Sequence, residues 1–519
     1  MSTARTTDVL VVGAGPVGLT LAVGLARAGV DCRIIERDPA FRDRGVRGKG
    51  INPRTLEVFD DLGVAGEILA RGDLNLRIHS YQGSRLVQEV DPAPANAPTP
   101  DRPYRGLLML AQHHTEAVLR DRLADYGVTV ELDTELLDYA QDGDGALATV
   151  RRGEHAGAAP ERIAARYLVG CDGGRSTVRK LAGIPFLGET WEEERFLMAT
   201  MRLDGFAPDA MHVWDDPRFG VGALVLVPLR QDGTWAVHAS VTPDEHGRLP
   251  APTLDTFREL FAERAGLPGA RLHEPTWSTV WRPTVRMVER YRDGRVFLAG
   301  DSAHCHSAAG GQGMNTGIQD AHNLGWKLAA ALRGTPDPLL DSYQAERLPV
   351  ARTVLAASSA QHRALFGSGG ARALTDQFLS LANSAGADLT GLSVHYRGGP
   401  LGRDLDDATG IRAGDRAPDA PCATADGAPT RLFDLFRGPH ATLLAFGGQG
   451  GAATPAALPD LPGVRRVGVL DPDGHARRAY GIDGDAVVLV RPDGYVGLTA
   501  GTTDPTALTG QFRGLGLTD

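Results

Sequence analysis

Apolar and polar positions divide the chain into short strand-like runs punctuated by glycine. Asp8-Val9-Leu10-Val11-Val12 is nearly continuous in apolar character, as a strand buried on both faces would be. It feeds Gly13-Ala14-Gly15-Pro16-Val17-Gly18 and then a helical pattern to Ala28, stopped by Gly29. A second strand is predicted over Cys32-Arg33-Ile34-Ile35, ending at Glu36 and Arg37. Gln112–Tyr126 reads as a helix and Tyr167–Gly170 as a strand. From about Phe186 to Val285 the pattern turns strand-like, with Gly222–Leu229 and Thr234–Val241 joined by a hairpin at Gly233. Arg295–Ala299 predicts another strand, followed by a helical pattern from about Gly317 to Leu332 and helices ending near Phe366. Beyond about Leu401 the strand-like runs are Ala441–Phe446, Val464–Leu470 and Ala486–Val490. The turns there are Asp471-Pro472-Asp473-Gly474 and Arg491-Pro492-Asp493-Gly494.

Two of these junctions carry chemistry. In the first, Gly13 permits the tight turn, Gly15 lets backbone approach a pyrophosphate, and Gly18 lets the helix pack closely on the strand. Pro16 opens that helix, and Glu36 at the second strand's tip can accept from ribose hydroxyls. An acid there disfavours a 2′-phosphate, so the site suits FAD or NAD rather than NADP. The second junction runs Gly300-Asp301-Ser302-Ala303-His304 into Gly310-Gly311-Gln312-Gly313-Met314-Asn315. A strand delivers a carboxylate at its tip, and a small-residue loop brings backbone N–H groups and a helix start close to an anionic, hydroxylated ligand. Two segments almost three hundred residues apart in sequence can thus grip one cofactor.

Composition narrows the classes. The chain has 519 residues and a net charge of −10, which gives no basic footprint for nucleic acid. No apolar run reaches the ~20 residues that span a bilayer, and the start lacks a signal-peptide core. Four scattered cysteines, Cys32, Cys171, Cys305 and Cys422, have no CxxC spacing, so disulfides and zinc are not expected and a cytoplasmic location is. His304 and His306 form an HxH, but no acid or third ligand lies at matching spacing, so no metal is expected. Loop hydrogen bonding or proximity to the cofactor is the reading favoured for that pair.

Taken together, these motifs resemble those of single-component flavoprotein aromatic hydroxylases, the para-hydroxybenzoate and phenol hydroxylase class, and most of all its polyketide-tailoring members. The resemblance rests on the glycine turn, on Cys171-Asp172-Gly173-Gly174-Arg175-Ser176-Thr177-Val178-Arg179, and on the Gly300-Asp301 segment. Smaller matches are Arg47 with Gly48-Lys49-Gly50 before Pro53-Arg54-Thr55-Leu56-Glu57, and Gln112 before Thr115-Glu116. The likeness implies an α/β fold: a Rossmann-type FAD-binding domain (1–78, 106–185, 286–400) interleaved with a β-sheet substrate domain (79–105, 186–285). A thioredoxin-like C-terminal domain without CxxC would occupy 401–519.

The same resemblance assigns Glu36 to the adenosine ribose, with Arg37 beside it, and Arg47 and Gln112 to the flavin's phosphate and ribityl parts. Asp301 would accept from the ribityl chain, and the Gly311–Asn315 backbone, Gly313 and Met314 included, would face the flavin N1–C2=O edge. Asp172 and Arg175 belong to a motif linking FAD and NADPH binding. Ser307-Ala308-Ala309 stand where the family often has a proline near the flavin. The implied activity is NADPH-dependent hydroxylation, with NADH as the other reductant, of a small polycyclic aromatic by O2 through a flavin C4a-hydroperoxide. The alternatives are Baeyer–Villiger insertion or oxidative rearrangement on the same fold, and a non-catalytic flavin- and ligand-binding protein. Strand alternation would turn some of His212, Trp214, Trp235 and His238 toward substrate, core filling being the other reading. Trp277, Trp281 and Arg282 are similar, and Arg286 is either structural or near the flavin. No general base can be named from sequence. The last domain admits a homodimer, and no nucleic-acid or membrane partner is expected.

Overall fold

The computed structural model describes residues 5–41, 48–153, 160–191, 195–216, 220–267, 269–306, 311–366, 390–448, 458–501 and 508. The chain's first strand, Arg5–Val12, lies in the middle of an eight-stranded sheet whose parallel core runs Val296–Leu298, Glu161–Gly170, Arg5–Val12, Cys32–Ile35, Val130–Glu131. Covered on both faces, its Val9, Leu10 and Val11 are fully buried. Helix Pro16–Arg27 follows, with proline where the first turn needs no N–H donor. A Cβ on Gly18 would sit 2.0 Å from the Gly13 carbonyl oxygen, so only glycine lets helix and turn close together.

The second sheet has seven strands, in the order Trp277–Trp281, Arg195–Met201, Thr234–Val241, Gly220–Leu229, Ala210–Asp216, Arg77–Gln82, Arg85–Val90. Ala210–Asp216 pairs in parallel with Arg77–Gln82, so the excursion after the first glycine turn and the later strand-rich region share one layer. Gly233 closes the hairpin at φ 61°, in the left-handed region glycine tolerates.

Register then separates the two faces of this sheet. Trp214, Trp235, Leu197, Leu224 and Val237 face a core with Phe257 and Phe261, from helix Leu254–Leu260 and the turn after it. Met211, Val213, Val227 and Ala236 face the other way, onto Ala111 and Met109 beside helix Gln112–Ala124.

A third, five-stranded sheet runs Arg403–Asp404, Val496–Ala500, Ala486–Val490, Ala441–Phe446, Val464–Val469. Ala441–Phe446 pairs in parallel with Val464–Val469, and the Ala486–Val490/Val496–Ala500 hairpin is antiparallel. This layer docks on helix Pro53–Asp61 through charge. Arg54 donates to the Asp493 carbonyl at 2.7 Å, Arg416 reaches Glu57 at 3.0 Å and Arg437 reaches Asp60 at 2.5 Å. Deeper in, Arg491 and Lys327 both bind Glu346, at 2.6 and 2.7 Å. All four cysteines are free. No helix among the described residues is long and apolar enough to cross a membrane.

Candidate functional site

The glycine turn, the Gly48–Asn52 segment and the start of helix Gln312–Leu332 converge. The helix begins at Gln312, five residues earlier than the sequence pattern indicated, because Gly311 adopts φ 63° and Asn315 locks the first turn. Asn315, fully buried, donates through Nδ2 to the carbonyls of Gly50 and Gly311, both at 2.9 Å. Its Oδ1 accepts from the Asn52 backbone N–H at 3.0 Å, and Gln312 Oε1 accepts from Asn52 Nδ2 at 3.3 Å. A Cβ on Gly48 would meet Gln112 Oε1 and Met314 Sδ, each at 3.0 Å, so Gln112 and Met314 border the same strip of backbone.

At the opposite end, Glu36 Oε2 accepts from the Ala14 N–H at 3.1 Å, which lays the carboxylate over the glycine turn. Arg37 is largely exposed. Gly13 has no room for a Cβ, which would fall 2.5 Å from the Cys171 carbonyl oxygen, whereas Gly15 faces open space. That contrast fits a turn packed against its own protein on one side and free to receive a pyrophosphate on the other. The residues present therefore suit FAD. Arg47 lies outside the described residues, as do Gly310 and Ser307-Ala308-Ala309.

Asp301 sits exposed in the Gly300–Ser302 turn. Its Oδ1 would be 3.9 Å from a Cβ on Gly313, so carboxylate and helix start adjoin. Beneath it runs a buried chain of polar groups. Asp320 accepts from His304 Nε2 at 2.6 Å, from Arg347 Nε at 2.7 Å and from the Gly300 N–H at 3.2 Å. Burial raises the Asp320 pKa, but the Arg347 and His304 contacts outweigh it and hold the carboxyl below its usual range. His304 Nδ1 then meets His306 Nε2 at 2.8 Å. With Asp320 ionised, His304 Nε2 carries the proton it donates to the carboxylate, and burial holds His306 well below its ordinary value. His306 Nδ1 is left buried and without a partner. The HxH is thus a hydrogen-bonded relay.

Among the described residues, the group with three metal-type donors in reach is elsewhere. There His113 and His114 both approach Asp232.

Asp172 does not present a free carboxylate. It accepts from Ser176 Oγ at 2.5 Å and from the N–H groups of Thr177 and Val178 at 2.6 and 3.2 Å, capping helix Thr177–Leu181. Arg175 is exposed.

The substrate candidates separate by face. His212 Nε2 donates to the Ala207 carbonyl (3.3 Å) and its Nδ1 meets Tyr81 Oη (3.0 Å), and with Trp214 and Trp235 it belongs to an aromatic cluster around Phe206. These three lie on the face of the sheet that packs against Phe257 and Phe261. His238 lies on the near face, opposite Met198 and Val225 in register, with Thr279 next along. Its Nε2 is 2.8 Å from Lys49 Nζ. Phe196 and Trp281, centroids 5.8 Å apart, share that face by register with Ser240. Arg286 donates to the Phe186 carbonyl at 3.4 Å and pairs in register with Cys305.

Sequence reasoning missed Lys49, Phe196 and the Asp320–Arg347 pair. Only Lys49 offered a signal, a charge between two glycines just before the short strand Gly50–Ile51.

A family model described as an FAD binding domain matches residues 6–358, and one described as the C-terminal part of aromatic-ring hydroxylases matches 411–514. A flavin-dependent monooxygenase of Mycobacteroides abscessus is 39% identical over 495 residues, covering 94% of this chain and 96% of that protein. A 6-methylpretetramide 4-monooxygenase of Streptomyces rimosus is 35% identical, covering 98% and 94%. Among solved structures, aklavinone-11 hydroxylase in a ternary complex with FAD and aklavinone superposes with a TM-score of 0.83 at 30% identity, covering 99% of each chain.

Proposed function

Because this chain belongs to the FAD-dependent aromatic-ring hydroxylases and is a flavin monooxygenase, we propose that it hydroxylates a polycyclic, polyketide-type aromatic with NADPH and O2. The single observation that carries the substrate class is the near face of the seven-stranded sheet. There Phe196, Trp281, Val225 and Met198 line an apolar wall toward the strip bordered by Gln112 and Met314. Such a wall suits a flat, multi-ring substrate, and relatives named for 6-methylpretetramide and aklavinone fit that size and chemistry.

When bound, FAD would carry reducing equivalents from NADPH and activate O2. The chain's own residues do the rest. Glu36 receives the adenosine ribose, Gly13, Gly15 and Gly18 admit the pyrophosphate to the start of helix Pro16–Arg27, and Asp301 and Gln112 hold the ribityl chain. The N-terminal end of helix Gln312–Leu332 would lie beside the bound flavin and favour negative charge on it by roughly 0.3–2 kcal/mol. Asn315 keeps that end in place by tying it to Gly50 and Asn52. Asp172 and Arg175 act through the turn beside Cys171, which packs against Gly13. The apolar wall excludes water, protecting the activated oxygen.

Three architectural points belong to the same reading: the discontinuous FAD-binding domain, a thioredoxin-like C-terminal layer serving structure or subunit contact, and a homodimer. The parallel pair followed by an antiparallel hairpin supports the second.

The test follows NADPH oxidation and O2 uptake by FAD-loaded protein with and without anthraquinone- and angucycline-like phenols. Stimulated oxidation with a product heavier by one oxygen and its ring connectivity intact is the expected result. Insertion of oxygen into a ring C–C bond would replace hydroxylation by the Baeyer–Villiger reading. No stimulation by any polycyclic phenol would refute the substrate class.

A further inference from the structure

The chain has 54 Lys plus Arg, yet only three are lysine: Lys49, Lys180 and Lys327. Arginine cannot release a proton in a protein and lysine can, so each lysine position is chemically distinct from the rest. Lys180 is exposed, and Lys327 is buried against Glu346 and Asn323. Lys49 is different from both. It is half-buried beside the flavin-loop residues Gln112 and Met314, and its partner is His238 Nε2 at 2.8 Å. No carboxylate of the described residues lies within ion-pair reach of it.

A cation brought out of water without an anion is costly unless something completes it. The groups around the pair do not. From the sheet, His238 is flanked by Met198 and Val225, with Thr279 beyond Met198, all uncharged. From helix Gln112–Ala124 the near group is the Gln112 amide, whose Nε2 is engaged by Glu116 at 2.8 Å. From helix Gln312–Leu332 it is the Met314 thioether beside Gly48. Desolvation accordingly lowers the Lys49 pKa to about 8, and burial, reinforced by Lys49, keeps His238 well below its ordinary value. The pair is therefore a neutral imidazole accepting from an amine that can gain or lose a proton near neutral pH.

We propose that Lys49, oriented by His238, receives an acidic ring hydroxyl of the substrate and holds it as the oxyanion. The hydroxyl O–H bond breaks, its proton forms the third N–H of the Lys49 ammonium, and the phenolate pairs with that ammonium. Atoms and charge balance, since a neutral amine and a phenol become an ammonium phenolate, while one N–H stays on His238 Nε2. The anion completes the site electrostatically, and ionisation enriches the ring that is to be oxygenated. Lys49 is thus the catalytic residue and His238 a positioning residue. This rests on the aromatic substrate proposed above, but its test needs no turnover.

Two measurements on the oxidised, FAD-loaded protein decide it. With [13Cε]lysine labelling only three lysine signals exist, and K49M and K180R assign them. The Lys49 signal is expected to titrate near pH 8; titration in the ordinary lysine range near 10.4 overturns the proposal. Second, the hydroxyanthraquinones alizarin and quinizarin change colour on ionisation. Bound to wild type, at least one should ionise a pH unit or more below its free value, a tenfold or greater shift. That shift should vanish in K49M, persist in K49R, whose fixed charge still pairs with the oxyanion, and shrink in H238F. An unshifted midpoint for both dyes, failure of both to bind, or an unchanged shift in K49M overturns it. If the shift stands but no dye or other phenol is oxygenated, it is the hydroxylase reading that fails instead.

Discussion

Replacing Asp320 by asparagine removes the charge on which the turn carrying Asp301 is built. The carboxylate is fully buried and accepts from His304, Arg347 and the Gly300 N–H. Asparagine keeps the shape but offers one acceptor, and Arg347 is left as a buried cation held by the Thr316 carbonyl and Tyr396 hydroxyl, both at 3.1 Å. Breaking a buried pair this way costs about 3–5 kcal/mol, against a total stability of about 5–15 kcal/mol for a typical domain. The folded Asp320 pKa is depressed, so its contribution is fully present above the unfolded value near 3.9 and is lost as pH falls through the lower folded value.

Urea unfolding at pH 7 and fixed excess FAD, followed by protein fluorescence, should place D320N about 3–5 kcal/mol below wild type. On acidification below about pH 4 the two should converge, because wild type alone has this carboxylate to protonate. A difference under about 1 kcal/mol at pH 7, typical of an exposed pair, or a constant gap down to pH 2, would refute the account of the turn.

Other substitutions separate binding from folding. Asp301 is exposed and adjoins the helix start at Gly313, so D301A should release FAD more readily, by about 1.5–3 kcal/mol of lost charged hydrogen bonding. Unchanged FAD affinity by flavin-fluorescence titration would remove Asp301 from the site. Arg491 and Arg292 each bind two carboxylates, but the partners of Arg491 are 1% exposed and those of Arg292 are 59% and 70% exposed. R491M should therefore destabilise by about 3–5 kcal/mol and R292M by less than about 1 kcal/mol, and equal costs in urea titrations would contradict burial as the cause. Gly18→Ala should abolish FAD loading through its clash with the Gly13 carbonyl. Gly24→Ala in the same helix, where an added Cβ meets nothing within 4 Å, should load normally and gain up to about 1 kcal/mol.

How far the sequence discloses this site depends on the distance over which each constraint acts. The first glycine turn was legible because strand, turn and helix are contiguous, and the chemistry of three glycines suffices to read them. The second was half legible. Gly311, Gly313 and Gly317 conceal a helix start that exists because Asn315 is tied to Gly50 and Asn52, more than 260 residues away. In the seven-stranded sheet, parity says that Trp235 and His238 point to opposite faces, and no spacing says which face meets the flavin loop. Both faces there are packed with apolar residues, so the polar–apolar alternation that marks a solvent face is missing. The buried relay is less legible still, since Gly300, His304, Asp320 and Arg347 lie on separate elements at spacings that match no periodicity. Lys49 sits between these cases. Its rarity is countable in the sequence, but its meaning appears only when His238, 189 residues on, is found against it with no carboxylate of the described residues in ion-pair reach. A charge formed where solvation is poor and the partner is neutral is completed by the oxyanion that the proposed substrate brings.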